Sequence, residues 1–261
     1  MSDPGLPGAE RRFFSLRPGQ SFYGAPIGIL QLQRVDRPGI RPFIPGSVGN
    51  ASTWTVPVRY KTVPGLTFDR LLGPVDVDMK TAVTQAAIEL EREGAQLITS
   101  NCGFMVRYQE VVRAAVEVPV LLSSLLLGPF LERMLPRKKA LGIITANASS
   151  LTSDLLEAAG LSGISERVIV AGLEGAPAFA AAFLKASGDL DVGSVEGETV
   201  DAAITLLKRR PDIGVLLFEC SELPPYAAAV QRTTGIPVFD FTSMVEFFVG
   251  GLIRKPFIGL S

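Results

Sequence analysis

The sequence predicts an α/β protein made of two matched sandwiches, each a parallel sheet between helices, with a shared site in the cleft between them. Three observations lead there. Residues 81–122 align without a gap on residues 199–240, placing Thr81 on Thr199, Cys102 on Cys220, Tyr108 on Tyr226 and Pro119-Val120 on Pro237-Val238. Within each copy, apolar residues at helical spacing give way to a short continuous apolar run, the pattern of a helix followed by a buried strand. Strands that alternate with helices form parallel sheets, because the crossover between parallel strands is long enough to be a helix that packs on the sheet face.

The elements follow in order. IGILQL at 27–32 reads as the first strand. Residues 33–78 form a long connection carrying GSVGNAST and VPVRYK, and connections of that length are often lids or binding loops. A helix is predicted from Ala82, Ala86, Ile88 and Leu90, then a strand at 96–99, then Cys102 just past the strand end. A second helix follows, and Pro119 opens another strand. The second copy begins with ALGIIT at 140–145, running into Asn147 and Ser149 as candidate helix caps. Its helix carries Ala202, Ile204, Leu206 and Leu207, its strand covers 213–218, and Cys220 comes next. The following helix is entered at Ser221, with Pro224-Pro225 in its first turn, where the missing N–H costs nothing.

Composition excludes several classes. The 261-residue chain is 47% hydrophobic with a formal net charge of -1, so no basic excess points to nucleic acid or an acidic membrane. No apolar stretch reaches the roughly 18 residues that span a bilayer. The N-terminal residues carry acidic groups beside arginines and lack an apolar core, unlike a secretory signal, so a cytoplasmic protein is expected. There are two cysteines and no histidine. A Ser-His-Asp or Cys-His unit and a His-containing zinc site are therefore impossible, and two cysteines cannot hold a structural zinc alone. Neither a GxxxxGK[ST] phosphate loop nor a GxGxxG fingerprint is present.

Two thiols at equivalent strand ends, facing each other across a cleft, suit removal of a proton next to a carboxylate and its return from the other side. A helix N-terminus would lower the thiol pKa and hold the substrate carboxylate. A single cysteine at a strand end reads as a small buried hydrophobe; the matched pair is what favours catalysis.

The paired units SNCGF and ECSEL make the chain resemble the aspartate/glutamate racemase superfamily, which also includes hydantoin racemases, maleate isomerases and arylmalonate decarboxylases. The resemblance runs from about Ile27 onward. It implies two pseudo-symmetric, flavodoxin-like halves, catalytic Cys102 and Cys220, a small carboxylate-bearing substrate, and neither metal nor cofactor. It also implies that the segment from Val238 returns to the first half. The expected division is then an extension at 1–24, a first domain at 25–118 plus 238–261, and a second at 119–237. The chain departs from the amino-acid racemases of the family in having Gly103-Phe104 and Ser221-Glu222 beside its cysteines, in offering Gln31 or Gln33 where they carry an acid, and in lacking their histidine.

Further candidates for the substrate site are Asn50, Ser52 and Thr53, which are either carboxylate donors or an ordinary capped turn. Asn147 and Ser149 are carboxylate ligands or plain caps. Gly103, Phe104, Ser221 and Glu222 flank the cysteines. Asn101 and Glu219, one residue before each cysteine, point away from the thiol by strand alternation and suit supporting roles. Ser123 and Ser124 read as a polar strand end, Arg59 and Lys61 as an exposed cationic stretch or an attractor of acids, and Tyr108 and Tyr226 as packing residues. The expected activity is an isomerase, a cofactor-independent racemase or epimerase acting on an amino acid or hydantoin-like acid. Maleate-type isomerisation or decarboxylation by one cysteine is the alternative, and a non-catalytic binding protein the third. Neither nucleic acid nor membrane is expected as a partner, and a homodimer is compatible with the sequence.

Overall fold

The computed structural model describes residue 20 and residues 22–34, 38–74 and 76–254. Most of the expected extension at 1–24, and the end of the segment 238–261, lie outside the described residues.

The described chain forms two four-stranded parallel sheets. β1 (Ile27–Leu32), β2 (Val58–Val63), β3 (Leu97–Ser100) and β4 (Val120–Leu121) make the first, in the order β2-β1-β3-β4. β5 (Ala140–Thr145), β6 (Val168–Gly172), β7 (Ile213–Phe218) and β8 (Val238–Phe239) make the second, in the order β6-β5-β7-β8. The identical orders are the structural form of the sequence repeat. β1, β3, β5 and β7 are buried or nearly so on both faces, which is why they read as continuous apolar runs.

The helices of the first half are α1 (Phe68–Leu72), α2 (Val77–Arg92) and α3 (Gln109–Arg113). Those of the second are α4 (Gly128–Met134), α5 (Ser153–Ala158), α6 (Pro177–Phe179), which continues as a π-helical turn at Ala180–Leu184, α7 (Val192–Arg209) and α8 (Ala227–Thr234). α9 (Phe241–Leu252) crosses back. Its Phe241, Met244, Val245 and Val249 bury against Ile27, Ile29 and Leu97 of the first sheet.

Two features differ from the sequence expectation. VPVRYK contains an edge strand instead of a loop, since β2 pairs with β1 from Ile27↔Val58 to Leu32↔Val63. Its Arg59 and Lys61 are engaged by α2: Arg59 pairs with Glu93, and Lys61 Nζ lies 2.6 Å from Glu89 and 3.0 Å from Glu93. The sheet memberships also put the changeovers between halves after residues 121 and 239, because β4 pairs with β3 and β8 pairs with β7.

No helix among the described residues is long and apolar enough to cross a membrane.

Candidate active site

Cys102 follows β3 and Cys220 follows β7, and both line one cleft of about 100 Å³ at the carboxyl ends of the sheets. That is where open α/β sheets bind ligands, and the volume suits a small acid. Cys102 is 8% exposed; Cys220 is partly buried.

Each cysteine loop is held by polar contacts that the repeat duplicates only in part. Ser100 Oγ donates to the carbonyl of Leu122 at 2.6 Å and to that of Cys102 at 3.0 Å, fixing the turn. The buried Gln109 amide clamps the neighbouring strand, donating to Val120 O at 2.8 Å and accepting from Leu122 N at 3.0 Å. The two loops then lock together: Ser221 Oγ donates to Asn101 O at 2.5 Å, and Ser124 Oγ to Phe218 O at 2.8 Å. Asn101 Oδ1 accepts from Leu32 N, tying the first loop to the end of β1.

Gly103 is required by this meeting of halves. A Cβ placed there would sit 2.0 Å from Glu219 Oε1 and 2.4 Å from Glu219 O, closer than real carbon atoms approach, so no side chain fits without displacing the opposite loop.

The thiols are not at α-helix N-termini, contrary to expectation. Cys102 precedes a 3-10 turn at Gly103–Tyr108 that runs into α3, and a similar turn at Pro224–Tyr226 separates Cys220 from α8. Such short turns have little dipole to offer. Each sulfur instead meets one backbone N–H two residues on, Phe104 for Cys102 and Glu222 for Cys220. Those N–H groups favour the thiolate, but burial outweighs them. Desolvation, reinforced by the charges of Glu219 and Glu222, pushes both thiols up from the ordinary cysteine range.

Glu219 is 1% exposed. Burial pushes its carboxyl up to about 7, against hydrogen bonds from Thr145 Oγ1 at 2.8 Å and from the Ala146 N–H that favour the charged form. Burial likewise raises Glu222, opposed by a hydrogen bond from Ser47 and the charges of Arg34 and Arg41.

The structure gathers Cys102, Cys220, Ser221 and Glu222 around the cleft. Gln33 and Asn101 also line it, whereas the loop and cap residues singled out from the sequence lie elsewhere. Asn50 caps the turn at Ala51–Thr53 by accepting from Ser52 N, Ser52 is exposed, and Thr53 Oγ1 donates to Ser47 O. Asn147 caps its own turn through Ser150 N, and Ser149 is exposed. Phe104 is buried in the core, its ring 6.3 Å from that of Phe68, and Phe68 is the one that faces the cleft.

Sequence reasoning missed the cleft's cationic and aromatic parts. Arg34, Arg41 and Phe43 come from the long connection after β1, which pins itself to the second half: Leu190 N donates to Ile40 O at 2.9 Å, and Ile40 N to Asp189 Oδ1 at 2.7 Å. The Arg34 guanidinium stacks 3.7 Å from the Phe43 ring centroid. Phe183 and Leu184 reach the cleft from the π-helical turn, and Ala186 lines it with φ of 48°, a left-handed conformation that is uncommon outside glycine. Pro38 and Gly39 mark the connection as a turn, but nothing local marks its arginines as facing Cys220.

The fold is shared with solved racemases and an arylmalonate decarboxylase. A glutamate racemase isoform from Bacillus anthracis superposes with TM-score 0.56 at 14% identity, over 88% of this chain and 82% of its own. An unliganded arylmalonate decarboxylase does so with 0.51 at 16%, over 89% and 96%, and an allantoin racemase from Klebsiella pneumoniae with 0.53 at 13%, over 88% and 90%. In sequence, a dimethylsulfoniopropionate lyase of Durusdinium sp. clade D is 31% identical over 243 residues, 91% of this chain and 78% of its own. Dimethylsulfoniopropionate lyase 7 of Emiliania huxleyi (strain CCMP1516) is 31% identical over 244 residues, 90% and 69% of the two chains. The chain belongs to the dimethylsulfoniopropionate lyase family. No protein-family model matches it.

Proposed function

We propose that this protein is a lyase that eliminates a β-sulfonium group from a small propionate, dimethylsulfoniopropionate or a close analogue. The observation that carries the reading is the cleft itself, where two thiols and two arginines face one space sized for a small acid.

In this reading Arg34 and Arg41 hold the substrate carboxylate, and the sulfonium lies against the aromatic rings of Phe68 and Phe183 and the carboxylate of Glu222. A cation there also helps the chemistry. Positive charge beside Cys102 and Cys220 offsets both the burial and the two carboxylates that keep the thiols protonated, so a thiolate forms when substrate is bound. The thiolate takes the proton alpha to the carboxylate; the C–H pair becomes the new double bond, and the C–S bond breaks with its electron pair leaving on sulfur as dimethyl sulfide. Acrylate remains, and the thiol returns its proton to solvent. Glu222 N–H or Phe104 N–H, already directed at the sulfurs, stabilises the thiolate while substrate is bound.

The test is dimethyl sulfide release from dimethylsulfoniopropionate, measured in the headspace over purified protein. Replacing the catalytic thiol, as Cys102→Ala or Cys220→Ala, is expected to lower the rate by about 10²–10⁴-fold, the usual contribution of a positioned base. Full activity in both single variants would defeat the proposal.

A second reading, racemisation at the same carbon, is favoured by the equivalent placement of the two thiols, since elimination needs only one base. It predicts solvent deuterium entering unreacted chiral substrate with no leaving group released, and loss of that exchange in either cysteine variant.

A further inference from the structure

Glu219 is a titratable group near the thiols that the reaction above does not use, and its surroundings are unusual. One oxygen, Oε2, is held by Thr145; the other, Oε1, is buried with no hydrogen-bond partner and directed at Gly103, the residue after Cys102. Glu219 is itself the residue before Cys220. A single carboxyl thus sits between the two catalytic loops, belonging to one by sequence and to the other by contact. We propose that Glu219 is a positioning residue that sets the charge state of the cleft thiols: protonated, it permits a thiolate at Cys102 or Cys220, and ionised, it suppresses one.

The geometry supports this in two ways. The unpartnered oxygen means that nothing on the Gly103 side stabilises a carboxylate, which leaves the carboxyl close to balance between its two states near neutral pH. The negative charge bears on both sulfurs. The other charges that bear on this system are Glu222 on the same loop, Arg107 near Cys102, and Arg34 and Arg41, which act on Glu222 from the long connection. β5 contributes only the neutral Thr145 hydroxyl and the Ala146 N–H to the carboxyl. The carboxyl also has a packing role, since it occupies the space that a side chain at residue 103 would fill.

The proposal rests on the thiols being the reactive groups, but its test does not depend on the substrate. Iodoacetamide alkylation of Cys102 and Cys220 is followed separately by peptide mass spectrometry as a function of pH. In Glu219→Gln, which is neutral at every pH and of the same shape, the alkylation midpoint of both cysteines is expected to move down by a pH unit or more, while Glu219→Asp, which keeps the charge, leaves it near the wild-type position. A folded Glu219→Gln whose alkylation profile coincides with wild type overturns the proposal, whatever its effect on turnover. Should the amide not pack, Glu219→Met provides a neutral side chain of similar length with the same expectation. The unaltered protein gives an independent measurement: infrared difference spectra should show a buried protonated carboxyl at pH 6 that is lost by pH 8, and its absence at pH 6 equally overturns the proposal.

Discussion

Gly103 and Glu219 illustrate how much can depend on one missing side chain. Because a methyl at residue 103 would meet Glu219 Oε1 at 2.0 Å, Gly103→Ala must separate the two loops, and it is expected to lower stability by about 1–3 kcal/mol, as overpacking of a tight site does, with a loss of activity larger than the stability loss explains. Thermal unfolding and turnover measured together distinguish the two effects. Glu219 also makes a definite pH prediction. Its folded carboxyl holds its proton up to about 7, whereas in the unfolded chain an ordinary glutamate loses it near 4.3. The folded state therefore binds the extra proton in that window, and stability falls as pH rises from about 4.3 to about 7, then levels. The urea midpoint of wild type should fall relative to that of Glu219→Gln across the same window, because the amide has no proton to lose; a constant difference would contradict it. Arg34 gives the third expectation at this scale. Arg34→Gln removes a charged donor from the cleft and should raise KM for a carboxylate substrate by about 10–100-fold, the range expected for losing a hydrogen bond to a charged group, with a smaller change in kcat.

At the scale of elements, α9 covers one face of the first sheet, and its start is chemically specified. Asp240 Oδ1 accepts from Thr242 N at 2.7 Å and Ser243 N at 3.0 Å, and Ser243 Oγ accepts in return from Asp240 N, a reciprocal cap. Asp240→Ala should cost about 1 kcal/mol and lower the melting temperature by about 2–4 °C, measurable by circular dichroism. Much of this layer was legible in the sequence. β1, β5 and β7 fall on the apolar runs at 27–32, 140–145 and 213–218, because strands buried on both faces have little choice of residue. β2 escaped notice because it is an edge strand whose charged Arg59 and Lys61 are neutralised by α2, and charge in sequence reads as loop. After Cys220 the 3-10 turn resembles an α-helix start in sequence, because Pro224-Pro225 suits either kind of turn. The cleft arginines were illegible for a different reason: Arg34 and Arg41 are placed by contacts between residues about 150 positions apart, Ile40 with Asp189 among them, and no local pattern encodes such a meeting.

Taken whole, the molecule is two copies of one topology whose cysteine loops differ while the cysteines themselves stay in register. The divergence is visible in what surrounds each sulfur: Cys102 is closed in by Phe104 and Met105 in the core, while Cys220 is followed by the polar pair Ser221-Glu222 at the cleft. Unequal surroundings predict unequal duties. In single-turnover experiments one cysteine variant should lose proton removal outright while the other keeps a measurable fraction of it, and equal loss in both would favour the symmetric two-base chemistry of a racemase.

The return of α9 to the first sheet has a consequence for biosynthesis. Ile27, Ile29 and Leu97 leave the ribosome well before the helix that covers them, which is made only after the strands of both sheets. The second sheet has all its strands beforehand, so the C-terminal half of the sequence can settle while the N-terminal half still presents a bare greasy face. Nascent chains halted just before Phe241 should bind apolar dyes or chaperones strongly, and release them once α9 is translated.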